Sequence, residues 1–244
     1  MSTHPRTAMV LAAGLGTRMR PLTDRTAKPL LPLGGRTLLD HALDRLAEAG
    51  VETVVVNAHW HSELVKAQLR SRTGAPRTII SEEPVLLETG GSVKAALDLL
   101  GPAPFFVVNG DAFWVDGPRP ALSRLAEAFD PAAMDGVLLV HRTFQVNADV
   151  GFGDFMVDKV GGLRRRVERE VAPYIYAGVQ LISPALLTGT PTGAFSMNRA
   201  WDVAMSADRL RAVVHDGLWF HLSTPDDLIE AETMLQARQP GDTR

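Results

Sequence analysis

The residues best placed to do chemistry form one run near the start of the chain. Leu11-Ala12-Ala13-Gly14-Leu15-Gly16-Thr17-Arg18-Met19-Arg20-Pro21-Leu22-Thr23 follows an apolar stretch, Ala8 to Ala12, and Lys28-Pro29-Leu30 comes close behind. Two glycines let a backbone approach a phosphate group and turn its N–H groups toward it. Arg18 can fork onto phosphate oxygens, and Lys28 can add a point charge. A dinucleotide fingerprint would need a third glycine where Met19 stands, and a Walker loop would need Gly-Lys-Ser/Thr, which is absent. A bare Gly-x-Gly also serves as an ordinary turn. Thr17-Arg18 and Lys28-Pro29 favour a phosphate cradle over that turn.

Two further constellations fit the same chemistry. Val107-Val108-Asn109-Gly110-Asp111 delivers a carboxylate at the end of an apolar run. Magnesium is held in this way, by one or two carboxylates together with substrate phosphates; a plain turn aspartate is the alternative. Ser81-Glu82-Glu83 and Leu87-Glu88-Thr89-Gly90-Gly91 form the other. Gly90 and Gly91 permit close approach and open a helix whose N-terminus attracts an anion, unless Glu88 and Thr89 only cap that helix.

The elements that position these residues follow from periodicity. Apolar runs at Ala8–Ala12, Thr53–Val56, Thr78–Ile80, Phe105–Val108 and Val137–Val140 read as buried strands. Helical spacing recurs at Leu38 to Leu46, with Thr37 as N-cap and Gly50 as stop, and at Ser62–Arg70, Ser92–Leu100 and Pro120–Phe129. Such alternation predicts an α/β fold with a mostly parallel sheet flanked by helices on both faces. After Val150 the texture changes. Phe155–Val157, Leu163–Val167 and Tyr174–Ile182 read as strands without intervening helices, an antiparallel or mixed extension of the same sheet. Val213, Trp219 and Phe220 fall in two short strands, Thr224 caps a last helix over 225–237, and the tail from Gln239 reads as frayed.

Composition narrows the function. The 244 residues suit one domain, and 45% hydrophobic with 22% charged residues supports a large core. A net charge of −3 gives no reason to expect nucleic-acid binding, and Arg164-Arg165-Arg166 reads as a solvated face. No cysteine is present, which removes disulfides and thiolate catalysis. No run approaches the roughly 18 apolar residues of a membrane span, and the polar start predicts a cytoplasmic protein.

Leu11 to Leu33 resembles the signature of the sugar-1-phosphate nucleotidyltransferases, and the likeness extends from Ala8 to about Leu235. Within that family it is most similar to the short bacterial N-acetylmuramate-1-phosphate uridylyltransferases of cell-wall recycling, with short mannose-1-phosphate guanylyltransferases close behind. The resemblance implies a Rossmann-like, nucleotide-diphospho-sugar transferase fold over 1–244, with a nucleotide-binding half near 8–111 and a sugar-binding half near 112–237. It implies that Leu11, Ala13, Gly14, Gly16, Thr17, Arg18 and Lys28 hold the nucleotide, and that Glu83 and Thr89 read the base. It places Asp111 on a metal ion, with Asn109 beside it, and Gly153 and Glu168 against the sugar.

One departure stands out. Relatives end with Trp-x-Asp-x-Gly-Thr, whose aspartate is a second metal ligand; here Trp219-Phe220-His221-Leu222-Ser223-Thr224 puts His221 at that position. Imidazole is a poor ligand for magnesium and favours softer ions such as manganese. The expected reaction joins a sugar 1-phosphate to a nucleoside triphosphate and releases pyrophosphate, with Arg18, Lys28 and Asp111 catalytic, and with magnesium or manganese as cofactor. N-acetylmuramate 1-phosphate with UTP is the leading pair. Mannose 1-phosphate with GTP, or a non-catalytic nucleotide-sugar sensor, are the alternatives. The expected state is a monomer or small homo-oligomer.

Overall fold

The computed structural model describes residues 4–146 and 148–238; the tail read as frayed lies outside them. In chain order the elements are β1 (Thr7–Leu11), β2 (Pro32–Leu33), β3 (Arg36–Thr37), α1 (Leu38–Glu48), β4 (Thr53–Ala58), α2 (Ser62–Ser71), β5 (Arg77–Glu82), α3 (Glu88–Ala95), α4 (Leu97–Leu100), β6 (Phe105–Asn109), β7 (Phe113–Val115) and α5 (Ala121–Ala128). Then come β8 (Gly136–Arg142), β9 (Phe155–Val157), β10 (Leu163–Arg165), β11 (Tyr174–Ile182), α6 (Asn198–Ser206), β12 (Leu210–Val214), β13 (Leu218–Phe220) and α7 (Pro225–Gln236).

Nine strands make one sheet, ordered β10-β9-β11-β6-β1-β4-β5, with β8 on the other side of β11 and β12 beyond it. β1, β4, β5 and β6 run parallel, as do β8 and β12, while β11 is antiparallel to β6 and β8. The mixed extension expected after Val150 is therefore present. No helix separates β9, β10 and β11, as expected; α6, which was not expected, follows β11 and returns the chain to β12 beside β8. Ala200, Trp201 and Ala204 are its buried face, a helical spacing that the strand-rich surroundings obscured.

Both sheet faces are covered, so the central strands are apolar at every position rather than at alternate ones. Val10, Val54, Val56, Phe106 and Val108 pack with Leu39, Leu43, Leu46 and Leu125 on one face. Met9, Val55, Phe105 and Val107 pack with Val93, Leu100, Trp201 and Ala204 on the other. Successive residues of a strand point to opposite faces, which is how one pentapeptide serves both cores. Thr37 caps α1 through its hydroxyl, which accepts the Asp40 N–H at 3.0 Å. Thr224 and Asp227 form a reciprocal capping box at the start of α7.

The helix expected over 92–100 is different in the structure. α3 begins at Glu88, and Gly90 and Gly91 lie inside it. Both amides donate to the Phe195 carbonyl, at 2.9 and 3.0 Å. A Cβ at Gly90 would stand 2.3 Å from the Phe195 ring, and one at Gly91 would stand 2.2 Å from the Gly193 oxygen. These glycines serve close backbone packing, and their N–H groups are not available to an anion.

Two histidines are buried at the far end of β8. His141 and His215 are 2% and 0% exposed, their rings lie 5.8 Å apart, and each Nδ1 has no hydrogen-bond partner. Burial, with His215 and Arg142 adding to it, lowers the His141 pKa to about 4; burial lowers that of His215 as well. Both are therefore folded in the neutral form. A base whose folded pKa lies below its unfolded value gives stability that is present above pH 6.5 and is lost as the pH falls toward 4. Urea unfolding of the wild type and of His141→Gln, compared from pH 7.5 to 4.5, should show the wild type losing on the order of 2 kcal/mol relative to the variant. Parallel pH curves would assign the acid sensitivity elsewhere.

Candidate active site

The site is built where three parallel strands end level. Leu11 is in register with Asn57 on one side and with Asn109 on the other. The loop after β1 is fastened there by a buried amide: Asn57 Oδ1 accepts the Ala12 N–H at 2.6 Å. Asn57 Nδ2 donates to Glu83 Oε1 at 2.7 Å, and Glu83 Oε2 accepts the Leu87 N–H at 3.3 Å. On the other side the Gly110 N–H donates to the Leu11 carbonyl at 2.9 Å. A Cβ at Gly110 would stand 2.7 Å from that oxygen, so the close approach excludes any larger residue. Gly16 takes a left-handed turn, φ 61°, and its carbonyl accepts the Thr23 hydroxyl at 2.8 Å.

These contacts hold open a three-lobed cleft. The first lobe, about 340 Å³, is walled by Leu11, Ala13, Gly14, Gly16, Thr17, Arg18 and Lys28 from the first strand and its loop, by Thr89 from α3, and by Asn109 and Asp111 from the end of β6. The second, about 200 Å³, shares Arg18, Lys28, Asn109 and Asp111 and is closed by His221 and Ser223. The third, about 270 Å³, meets both at Asn109 and runs past Asp154 and Tyr176 toward Gln180, Arg165, Asn198 and Trp201. Eleven residues expected in the nucleotide and metal sites, among them Arg18, Lys28, Asp111 and His221, thus face one connected space.

His221 arrives on the short ribbon of β7 and β13, in which Phe220 pairs with Phe113 two residues beyond Asp111. Burial lowers its pKa, Asp227 opposes this, and Arg18 and Lys28 add to it. At neutral pH His221 is an uncharged donor or ligand facing the same lobe as Asp111. The Lys28 ammonium is ion-paired with the Asp111 carboxylate. Lys28 is nearly covered while the Asp111 side chain is 37% exposed, so the anion of the pair remains open to the cleft. Arg18 is exposed and has no ion pair among the described residues. The buried Ser223 hydroxyl and Tyr176 hydroxyl, both on the cleft wall, make no hydrogen bond of normal geometry.

Three expected residues are not brought to this space. Glu83 is 6% exposed and stands behind Asn57, where it braces the loop and does not line a lobe. Gly153, φ 70°, is a turn glycine whose Cβ would meet the Ala172 oxygen at 2.2 Å; the next residue, Asp154, is the one on the wall. Glu168 lies exposed in the turn after β10. Arg165, read from sequence as part of a solvated face, lines the third lobe instead. Asn57, Tyr176 and Asn198 were not singled out, and Asp154 and Ser223 were read only as members of the Gly151–Asp154 and Trp219–Thr224 segments. Of the three, Asn57 had a signal, a polar residue closing the apolar run Val54-Val55-Val56, as Asn109 closes its own.

A glycine loop at a strand end, two cations and a lone carboxylate define a class, and the comparisons agree with it. Residues 7–169 match the family model described as nucleotidyl transferase, and the chain belongs to that family. It is 43% identical over 96% of its length to N-acetylmuramate alpha-1-phosphate uridylyltransferase of Caulobacter vibrioides, covering 99% of that protein. It is 34% identical over 94% of its length to the Neisseria meningitidis protein of the same name, covering 98%. In fold it matches a crystal structure of UDP-glucose pyrophosphorylase complexed with UDP-glucose, with TM-score 0.79 over 96% of this chain and 99% of that one, at 15% identity. The nucleotide-diphospho-sugar transferase fold is thereby established, and the chain is a nucleotidyltransferase.

Arg18→Ala and Lys28→Ala should each lower turnover by about a hundredfold, since a preorganised charge on a reacting phosphate contributes about 3 kcal/mol. Steady-state pyrophosphate release, with circular dichroism to check the fold, reads this out. Near-normal rates in either variant would remove that side chain from the catalytic set.

Proposed function

We propose that this enzyme joins UTP to N-acetylmuramate 1-phosphate, giving the UDP-sugar and pyrophosphate. The observation that carries the reading is the full-length likeness to two uridylyltransferases of that specificity, on a cleft whose lobes suit a nucleotide, a phosphate centre and a sugar.

The chemistry asks for little beyond positioning and neutralisation of charge. A phosphate oxygen of the sugar 1-phosphate attacks the α-phosphorus of UTP. The new P–O bond forms as the bond to the β-phosphate oxygen breaks, and the electron pair leaves on pyrophosphate. The nucleophile is already an anion, so no general base is required. In this reading the backbone of Ala13 and Gly14, with Thr89, seats the uridine. Gly16, Thr17 and Arg18 hold the β- and γ-phosphates. Lys28 sits where the first two lobes meet and stabilises the α-phosphate as charge builds on it.

Asp111 and His221 would hold a divalent ion. Among the described residues no three His, Cys, Asp or Glu side chains gather to bind a metal, so the protein offers an incomplete shell. That fits an ion such as magnesium, which takes one or two carboxylates and completes its shell with phosphate oxygens and water. When bound, the ion would offset the negative charge of the phosphates. His221 as the second protein ligand would shift preference toward manganese. The neighbouring cation Lys28 limits the repulsion that Asp111 exerts on the triphosphate before a metal arrives.

A grid of nucleoside triphosphates against sugar 1-phosphates, read by pyrophosphate release, tests the assignment. UTP with N-acetylmuramate 1-phosphate should give the highest kcat/KM. A tenfold or greater preference for GTP with mannose 1-phosphate would replace this reading with a guanylyltransferase. Inactivity with every pair and ion would favour a nucleotide-sugar sensor.

A further inference from the structure

We propose that Arg165 binds a carboxylate carried by the sugar and thereby selects acid-bearing sugar 1-phosphates over neutral ones. The inference rests on the assignment above and concerns the far end of the third lobe.

Arg165 is the one cation lining that lobe among the described residues, and Asp154 is the one anion. The side chain leaves β10 opposite Phe155, its register partner on β9. Its guanidinium lies 4.7 Å from the Phe155 ring centroid and 5.9 Å from that of Trp201. Nε donates to Asp202 at 3.0 Å, and Nη2 donates to Asn198 Oδ1 at 2.8 Å. Stacking and these two bonds fix the plane of the group before any ligand binds, which lowers the entropy lost on binding. Nη1 has no protein partner among the described residues. Asp202 does not consume the charge, because its side chain is 56% exposed and well solvated.

Position decides which anion this cation meets. A sugar 1-phosphate must put its phosphate beside Lys28, Arg18 and Asp111, which face the first two lobes and not the third. Arg165 faces only the third. It therefore lies beyond the sugar ring, on the side away from the anomeric phosphate. N-acetylmuramate carries there a lactyl ether at C3 that ends in a carboxylate; N-acetylglucosamine is the same sugar without it. Asp154 does not cancel the attraction. It lies on the wall shared with the phosphate lobe, and its Oδ2 already accepts the Tyr176 N–H at 2.9 Å. A charge-assisted contact from a fixed guanidinium is among the stronger ways to read a carboxylate.

The test compares kcat/KM for N-acetylmuramate 1-phosphate, its lactyl methyl ester and N-acetylglucosamine 1-phosphate, with UTP, in wild type and Arg165→Met. Methionine keeps an apolar stem over Phe155, and melting curves check the fold. In the wild type the ester should lose at least thirtyfold against the acid. In Arg165→Met the acid-to-ester and acid-to-N-acetylglucosamine ratios should each fall by at least thirtyfold. If all three substrates fall together, or if the wild type does not distinguish acid from ester, Arg165 is structural and the proposal fails while the enzyme assignment stands. If the wild type prefers a neutral sugar 1-phosphate outright, the assignment fails and takes the proposal with it.

Discussion

The site depends on the register of three parallel strands. Leu11 pairs with Asn57 and Asn109, so β4, β1 and β6 end on one line and release three loops at the same height. Everything polar in the cleft is referred to that line. Asn57 fastens the loop after β1, Gly110 lets the loop after β6 lie against Leu11, and Lys28 crosses between the two to meet Asp111. A shift of one residue in β1 would exchange Ala8 and Val10 with Met9 between two differently shaped cores and would take Leu11 out of line with Asn57 and Asn109.

The Lys28–Asp111 pair sets the charge of the site without ligand. The two side chains neutralise one another at the junction of the lobes, while Arg18 stays exposed and unpaired among the described residues. In the proposed reaction a triphosphate entering this site would compete with Asp111 for Lys28, and a metal ion would compete with Lys28 for Asp111. Arrival of metal and triphosphate together would satisfy both. Neutral His221 adds a ligand or donor on the same wall without adding charge, and the unpartnered Ser223 hydroxyl lies beside it. In the family pattern that wall carries an aspartate; here the protein supplies one negative charge fewer.

The first half of the fold was legible because its signals are local. Apolar pentads ending in Asn or Gly, and Thr37 before a helical spacing, specify strands and a cap within a few residues. The glycine turn after β1 was legible for the same reason. The second half depends on long-range pairing. α6 carries only a short buried face and was hidden among strand-like segments. Arg165 reads as one of three exposed arginines until Phe155 on the adjacent strand, and Asn198 and Trp201 from α6, are folded around it. Glu83 and Gly153 were placed near the right elements but one layer too close to the ligand. A buried carboxylate that braces an amide, and a turn glycine that presents its neighbour, look the same in sequence as residues that touch substrate.

We propose that Asp111 opposes the triphosphate when alone and holds it through a metal. Calorimetric titration of UTP into wild type and Asp111→Asn, first with chelator and then with saturating magnesium, tests it directly. Without metal, the variant should bind UTP more tightly than wild type, because an anion beside the phosphates is gone and Lys28 is released. With magnesium, the order should reverse and the variant should bind more weakly. A change of the same sign in both conditions would contradict the account.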